Sequence, residues 1–227
     1  MKLLHIDSSI LGAGSASRQL TSEIVHRWRS EYPDLEVKYT DLATEELPHF
    51  SGKSLAAQPS EERARDAATL ADFLAADVIV IGAPMYNFSI PSQLKAWIDR
   101  VTVVGKTFRY TESGPQGLAG GKKVIVAISR GGVYAPNAPG EFAESYLKFL
   151  FGFLGIDSVT FVRAEGLALS PQHRRTGINS ALAAIGEALS LPRAKPLTHI
   201  GLAHHGLAPH EPVPAGAVSP RSQSAPS

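Results

Sequence analysis

The 227-residue chain contains no cysteine, which excludes disulfide bonds, thiolate nucleophiles and cysteine-ligated metals. It also has no excess of one charge: the formal net charge is +1 at pH 7, without the basic footprint of a nucleic-acid-binding or membrane-surface protein. No run approaches the roughly 18 apolar residues of a membrane span. The apolar start MKLLHI is broken by His5 and Asp7, which argues against a signal peptide. We therefore expect a cytoplasmic protein without nucleic-acid or membrane partners.

Short apolar stretches are present instead, and they predict a sheet. Four of them are nearly continuous in apolar character, which is typical of parallel strands covered on both faces. A fifth, LEVKYTDL (35–42), alternates and predicts an edge strand. The four continuous stretches are KLLHID (2–7), DVIVIGAP (77–84), KKVIVAIS (122–129) and SVTFVRAEG (158–166).

Helical periodicity separates these stretches. The alternation of strand and helix predicts a doubly wound α/β fold. From residue 191 to residue 227 the chain is rich in proline, histidine and serine and shows neither periodicity, so we expect a flexible tail after a single domain of residues 1–190. His204, His205 and His210 lie in that tail without a carboxylate pattern, and we expect no metal site. Helices are predicted over about 17–31, within 60–76, around 94–101, over 140–155 and over 179–191.

The loop after the first strand, SSILGAGSAS (8–17), allows two interpretations. Gly12 and Gly14 come close to the G-x-G-x-x-G pattern of dinucleotide-binding proteins, and Asp41 ends the second strand, where a ribose-binding acid belongs. Four residues separate Asp7 from the first glycine, however, and a serine replaces the third glycine. Alternatively, hydroxyl groups hold a terminal phosphate at a helix N-terminus. Helix capping alone accounts for one serine but not for three: Ser9, Ser15 and Ser17.

Two more loops are predicted at the same edge of the sheet. PMYNF (84–88) follows the third strand and offers main-chain polar groups beside aromatic side chains, which suits a flat heteroaromatic ring. SRGG (129–132) follows the fourth strand, where Gly131 and Gly132 allow close approach of the backbone and a positive φ. The simpler alternatives are core packing for Met85 and Phe88 and a plain turn for SRGG.

Five blocks of the sequence resemble the FMN-dependent azoreductases, also called FMN-dependent NAD(P)H:quinone oxidoreductases. The resemblance covers about residues 1–190 and implies a flavodoxin-like fold with strand order 2-1-3-4-5 and helices on both faces. It also implies a homodimer with one FMN per subunit. NADH or NADPH would reduce FMN, which would pass two electrons to quinones and azo compounds in a ping-pong reaction, cleaving azo compounds to amines. The blocks are SSILGAGSAS, PMYNFSIPSQLKAWID, GKTFRYTESGPQGL, GKKVIVAISRGG and YLKFLFGFLG.

The resemblance also assigns roles to residues. No side chain is expected to be catalytic, because the chemistry belongs to the flavin. Tyr110 and Phe153 match positions that line the substrate pocket. A flavodoxin-type electron carrier is the main alternative, although such carriers are usually acidic and this chain has a pI near 8.0; a dinucleotide-binding dehydrogenase is the other. The expected FMN-binding residues are Ser9, Ser15, Ala16 and Ser17 at the phosphate, Pro84, Met85, Tyr86, Asn87 and Phe88 along one edge of the ring, and Ser129, Arg130, Gly131 and Gly132 on the other side.

Overall fold

The structure is a computed structural model that describes residues 1–45, 47–52, 54, 60–135 and 138–190. The predicted tail, with its three histidines, lies outside the described residues. Within the described ranges, no helix is both long and apolar enough to cross a membrane. The same ranges contain no group of three or more histidine, aspartate or glutamate side chains arranged to hold a metal ion.

Five parallel strands form the main sheet in the order β2-β1-β3-β6-β7. A separate antiparallel pair, β4 and β5, lies between β3 and β6 in the sequence, so the strands numbered 4 and 5 in the prediction are β6 and β7 here. β2 is an edge strand, as predicted. The strands are β1 (Lys2–Asp7), β2 (Glu36–Asp41), β3 (Val78–Pro84), β4 (Phe108–Thr111), β5 (Gly114–Gly117), β6 (Lys123–Ser129) and β7 (Ser158–Ala164).

The helices are α1 (Ala16–Glu31), α2 (Glu61–Ala75), α3 (Ser92–Val101), α4 (Ala143–Phe153) and α5 (Pro171–Ser190). The predicted start of the last helix, at 179, was wrong. α5 begins at Pro171 because Ser170 caps it: the Ser170 hydroxyl accepts the N–H of His173 at 3.2 Å, and proline suits a first helical position. Its first two turns are polar, so apolar periodicity could not reveal them.

Two buried clusters account for the continuous apolar strands. One joins α1 and α5 to alternate strand residues such as Val80 and Ile125. The other joins α2, α3 and α4 to the intervening residues, such as Ile81 and Val126. Because successive side chains of a strand point in opposite directions, a strand that contributes to both clusters has no polar face. Every residue of β3 and of β6 is buried.

Parallel strands bring the loops after β1, β3 and β6 to one edge of the sheet. The β4–β5 pair packs closely against the end of α4, since a Cβ added at Gly117 would lie 2.1 Å from the backbone nitrogen of Gly155. The prediction missed this pair because its strands are short and mostly exposed. Its position beside α4 brings the two expected pocket residues, Tyr110 and Phe153, into one region.

Candidate functional site

The loop after β1 gathers hydroxyl groups at the start of α1. Ser15 is the N-cap, and its hydroxyl accepts the backbone N–H of Arg18 at 3.3 Å. The Ser15 and Ser17 hydroxyl oxygens are 3.0 Å apart, while the Ser9 hydroxyl lies 3.3 Å from that of Tyr86. The backbone N–H groups of Ala16 and Ser17 have no acceptor among the described residues. Unpaired N–H groups and hydroxyls at a helix N-terminus suit an anion.

Arg18 holds this loop against β2. Its guanidinium donates to both carboxylate oxygens of Asp41, at 2.8 and 2.6 Å, and twice to the carbonyl oxygen of Ser9, at 3.2 and 2.8 Å. The hydrogen bond from Arg18 lowers the pKa of Asp41, although partial burial opposes it. Asp41 is therefore committed to an arginine, which argues against its role as a ribose-binding acid and against the dinucleotide interpretation.

Asp7 lies beneath the same loop and is 3% exposed. It accepts hydrogen bonds from Thr21 at 2.9 Å and from the hydroxyl of Tyr39 at 3.2 Å. Burial, together with the nearby carboxylates, raises the pKa of Tyr39. The ring of His5 packs at 4.8 Å from that of Tyr39. These contacts fix the end of β1 and so the position at which the serine loop begins.

The loop after β3 is a tight two-residue turn. Tyr86 and Ser89 exchange backbone hydrogen bonds of 2.9 and 3.0 Å, and between them Asn87 and Phe88 have φ values of 49° and 69°. Positive φ at both central residues is the requirement of a type I′ turn, which asparagine tolerates and phenylalanine does not favour. Phe88 is 57% exposed, so core packing was the wrong alternative for it. Met85, in contrast, packs against the larger buried cluster.

The loop after β6 corrects another expectation. Gly131 and Gly132 do not adopt a positive φ, because the backbone continues to pair with the segment after β7. The carbonyl oxygens of Gly131 and Gly132 accept the N–H groups of Ala168 at 3.0 Å and Gly166 at 2.9 Å. Close approach is the reason for glycine at 131, where a Cβ would lie 3.2 Å from that of Ala168. In the described ranges, the N–H groups of both glycines lack an acceptor.

Arg130, in the same loop, is 2% exposed and does not present a cation to solvent. Its guanidinium donates to Glu165 at 3.0 Å, to Glu141 at 2.9 Å and to Glu144 at 2.8 Å. The ring of Tyr134 lies 5.6 Å away. The resemblance placed Arg130 among the expected FMN-binding residues, and the structure shows its side chain hydrogen-bonded to three carboxylates.

Aromatic rings bring the two predicted pocket residues together. Tyr110 on β4 is 73% exposed, and its ring meets that of Phe108 edge-on at 5.5 Å. The ring of Phe108 lies 4.7 Å from that of Phe153 at the end of α4. Phe108 was missed from the sequence, although its alternation with Tyr110 in FRYT was the available indication.

The three loops are contiguous. The Ser9–Tyr86 contact joins the first loop to the second, and the N–H of Met85 donates to the carbonyl of Ser129, the last residue of β6, at 2.8 Å. Pro84 and Ser129 are also paired in register at the ends of β3 and β6. One edge of the sheet therefore presents hydroxyl groups at a helix N-terminus beside backbone N–H groups that no described residue accepts. This arrangement can bind a phosphate and hydrogen-bond to the edge of a planar ring.

Residues 1–189 match the Flavodoxin_2 family, which is described by its flavodoxin-like fold. The chain is 55% identical over 187 residues to FMN-dependent NADH:quinone oxidoreductase 1 of Xanthomonas euvesicatoria, covering 82% of this chain and 96% of the relative. It is 56% identical over 195 residues to FMN-dependent NADH:quinone oxidoreductase 2 of Bradyrhizobium diazoefficiens, covering 81% and 96%.

Two solved structures are also similar to this chain. An azoreductase from Bacillus anthracis is similar with a TM-score of 0.75 and 31% identity, covering 84% of this chain and all of that one. An FMN-dependent NADH-azoreductase from the same species, in complex with FMN, has a TM-score of 0.73 and 26% identity, covering 82% and 98%. The chain therefore belongs to the flavodoxin-like family that includes the FMN-dependent NADH:quinone oxidoreductases and azoreductases.

Proposed function

We propose that this protein is an FMN-dependent oxidoreductase that transfers two electrons from NADH to quinones and azo compounds. One observation carries the proposal: the buried hydroxyl groups of Ser15 and Ser17 lie at the start of α1, in a loop that adjoins the ends of β3 and β6, where backbone N–H groups have no acceptor among the described residues. The names of relatives at 55 and 56% identity agree with this assignment.

The residues present fit FMN at both of its ends. Ser9, Ser15 and Ser17, with the N–H groups of Ala16 and Ser17, would hold the phosphate at the positive end of the α1 dipole. The backbone from Pro84 to Phe88 would follow one edge of the ring, and the backbone from Ser129 to Gly132 would close the other side. FMN, when bound, supplies the two-electron chemistry between NADH and the acceptor.

The protein groups would supply orientation and charge stabilisation. In the part of the chain that the structure describes, the N–H groups of Asn87, Phe88, Gly131 and Gly132 have no acceptor. Fixed N–H donors stabilise negative charge that develops on a bound group and require no reorganisation. Tyr110, with Phe108 and Phe153 behind it, would form an aromatic wall of the substrate pocket. Stacking on aromatic rings tolerates many planar acceptors, which suits quinones and azo dyes alike.

We also propose a homodimer in which each subunit binds one FMN. Large apolar side chains that are exposed and cluster together mark interaction surfaces. Several such side chains lie on the segments next to the site. A Cβ added at Gly140 would lie 3.2 Å from the Phe88 ring, so the turn after β3 and the segment before α4 share one surface. The exposed apolar residues next to the site are Phe88, Tyr110, Val133, Phe142 and Phe149.

We further infer that α1 and α5 cover one face of the sheet and that α2, α3 and α4 cover the other, since the two buried clusters divide the strand residues alternately.

The absorbance spectrum of the purified protein tests the proposal. Bound flavin gives bands at about 370 and about 450 nm, and denaturation should release FMN. Steady-state oxidation of NADH with menadione or methyl red as acceptor then distinguishes the enzyme from an electron carrier, which alone should show almost no turnover. Absence of the bands from protein incubated with excess FMN and then separated from the unbound flavin would overturn the proposal, as would a flavin-loaded protein that reduces neither acceptor.

A further inference from the structure

Arg130 is buried, yet its hydrogen bonds reach away from its own loop. Its Nη2 donates to Glu141 and Glu144, at the start of α4. Its Nη1 donates to Glu165, immediately after β7. No other acceptor is bound by this guanidinium in the described ranges, and its Nε is buried without a partner. One side chain therefore joins three segments: the loop after β6, the start of α4 and the segment after β7.

The three carboxylates are themselves fixed. Glu141 accepts the N–H groups of Glu144 at 2.9 Å and Ser145 at 3.3 Å, in the first turn of α4. Glu165 also accepts the N–H of Tyr134 at 3.2 Å, so it holds the far end of the same loop. The positions of these carboxylates therefore do not depend on Arg130 alone. Glu141, Glu144 and Glu165 together form a binding site for the guanidinium, which we call the socket.

The socket brings charges of both signs together. Arg163 pairs with Glu144 from β7, so two arginines meet three glutamates. Burial raises the pKa of Glu144, but hydrogen bonds from Arg163 and Arg130 outweigh it and keep that pKa below the usual value. Glu144 is accordingly ionised at neutral pH, and the charge of Arg130 is neutralised within the cluster.

The socket lies beside the groups that the proposed function uses. Gly131 and Gly132 follow Arg130 directly; their carbonyl oxygens are bound by the segment after β7, and their N–H groups have no acceptor among the described residues. The loop is thus fixed by Arg130 at one end, by Glu165 and Tyr134 at the other and by carbonyl hydrogen bonds between them. A displacement of Arg130 would move both N–H groups.

We propose that Arg130 is a positioning residue that orients the N–H groups of Gly131 and Gly132 toward FMN and so favours the reduced form of the bound flavin. This inference rests on the proposed function. Donors that face developing negative charge contribute more to the charged form than to the neutral form. Arg130 acts through the backbone, and its side chain does not need to touch the flavin.

The test compares Arg130→Lys with Arg100→Lys. A lysine at 130 keeps the positive charge but lacks the planar guanidinium that donates to three carboxylates at once. Arg100 is a matched control: it is also 2% exposed and pairs with carboxylates of a neighbouring helix, Glu62 and Asp66, but it lies on α3 outside the three loops. Three quantities are measured for each protein: the thermal midpoint of unfolding, the Kd of oxidised FMN and the midpoint potential of the bound flavin.

We expect both substitutions to lower the thermal midpoint, and Arg130→Lys alone to change the flavin. Its Kd for oxidised FMN should rise about threefold and that for reduced FMN about thirtyfold, because misplaced donors lose most against negative charge. The tenfold difference makes the two-electron midpoint potential about 30 mV more negative. A second variant, Glu165→Gln, should shift the potential in the same direction by less, and it keeps the test available if Arg130→Lys fails to fold.

Two results would overturn the inference. If Arg130→Lys keeps the wild-type potential, or if it does not fold and Glu165→Gln keeps that potential, Arg130 is structural only. If Arg100→Lys shifts the potential equally, the effect is a general loss of stability. Failure of the wild-type protein to bind FMN is a different result, since it removes the proposed function and this inference with it.

Discussion

The hydroxyl oxygens of Ser15 and Ser17 lie 3.0 Å apart at the N-terminus of α1, on residues that are 4% and 0% exposed. Ser15 caps the helix and Ser17 lies in its first turn, where the N–H groups of Ala16 and Ser17 have no acceptor among the described residues. We predict that Ser15→Ala combined with Ser17→Ala raises the Kd of FMN by about a hundredfold or more, since two hydrogen bonds to a charged group are lost and each contributes about 1.5 to 3 kcal/mol. Fluorescence titration of the apoprotein with FMN measures this change.

Loss of the helix cap is a separate effect and has its own control. Ser60 caps α2 in the same way, accepting the N–H of Arg63 at 3.2 Å, and lies outside the three loops. Ser60→Ala and the double variant should each lose about 1 kcal/mol of unfolding free energy, but only the double variant should bind FMN more weakly. Equal FMN affinity in the wild type and the double variant would refute the phosphate assignment.

The ion pair between Arg18 and Asp41 predicts a dependence of stability on pH. The pKa of Asp41 is lowered in the folded protein, first by the hydrogen bond from Arg18. Its contribution is therefore complete above the pKa of an unfolded aspartate, about 3.9, and is lost as the pH falls through the lower pKa of the folded state. Asp41→Asn should lower the unfolding free energy at pH 7 by about 1 to 3 kcal/mol.

Urea unfolding at a series of pH values checks this prediction. The difference between the wild type and Asp41→Asn should be constant from pH 7 to pH 5 and should shrink as the pH falls below about 4. Asp99→Asn is a suitable control, since Asp99 pairs with Lys95 in an exposed helical ion pair and such pairs contribute little. A difference that grows on acidification would contradict the assigned role of Asp41.

The strained turn at Phe88 predicts a variant that is at least as stable as the wild type but binds FMN more weakly. A non-glycine residue at a φ of 69° costs roughly 1 kcal/mol or more, and Phe88 is more than half exposed. Phe88→Gly should therefore leave the unfolding free energy unchanged or raise it by up to about 1 kcal/mol. Loss of the ring should raise the Kd of FMN about fivefold.

Phe88→Asn separates the ring from the backbone, because asparagine also tolerates a positive φ. Both variants should bind FMN equally weakly if the ring is what contacts the flavin. Denaturant unfolding and FMN titration of the two proteins decide the matter. Strong destabilisation of both would show instead that the ring holds the turn in place by packing.

The parts of this fold that sequence could reveal are those fixed by local patterns. β3 and β6 were predictable because burial on both faces leaves only apolar residues. The three site loops were predictable because parallel strands end at one edge of a sheet. The first two turns of α5 and the β4–β5 pair were missed because caps and backbone hydrogen bonds, rather than apolar periodicity, specify them.

The hydrogen-bond and ion-pair partners of the site residues could not be predicted from the sequence. Arg18 meets Asp41 across 23 residues and Arg130 meets Glu165 across 35, and no spacing rule connects residues so far apart. The type I′ turn was hidden for another reason, since Asn-Phe lacks the glycine that usually marks such a turn. The sequence therefore indicated which loops meet at one edge of the sheet but not what holds them in place.

The exposed apolar residues beside the site predict a dimer in solution. Sedimentation velocity should give twice the 24.2 kDa mass of one chain. Phe149 on α4 is 61% exposed, and Phe149→Glu should shift the protein toward monomers because a buried unpaired carboxylate opposes association. Leu74→Glu, on α2 and 38% exposed, should leave the mass unchanged. A wild-type protein that remains monomeric at high concentration would contradict the proposed homodimer.

Tyr110 tests whether the aromatic wall binds substrate or supplies a proton. Because its side chain is 73% exposed, Tyr110→Ala should lose only the edge contact with Phe108, about 0.5 to 1.5 kcal/mol, and should keep its FMN. The KM for menadione should rise about tenfold, since a stacking surface for the acceptor is removed. Phe108→Ala, in contrast, opens a cavity beneath the wall and should cost about 3 to 5 kcal/mol of unfolding free energy.

Tyr110→Phe isolates the hydroxyl group. This variant keeps the ring and its contact with Phe108, and the hydroxyl of Tyr110 has no hydrogen-bond partner within the described residues that would orient it for proton transfer. We therefore expect kcat, KM and the pH dependence of kcat to match those of the wild type, with protons arriving from solvent. A fall in kcat at unchanged KM, with an altered pH profile, would instead make the Tyr110 hydroxyl a proton donor and give the site a catalytic side chain.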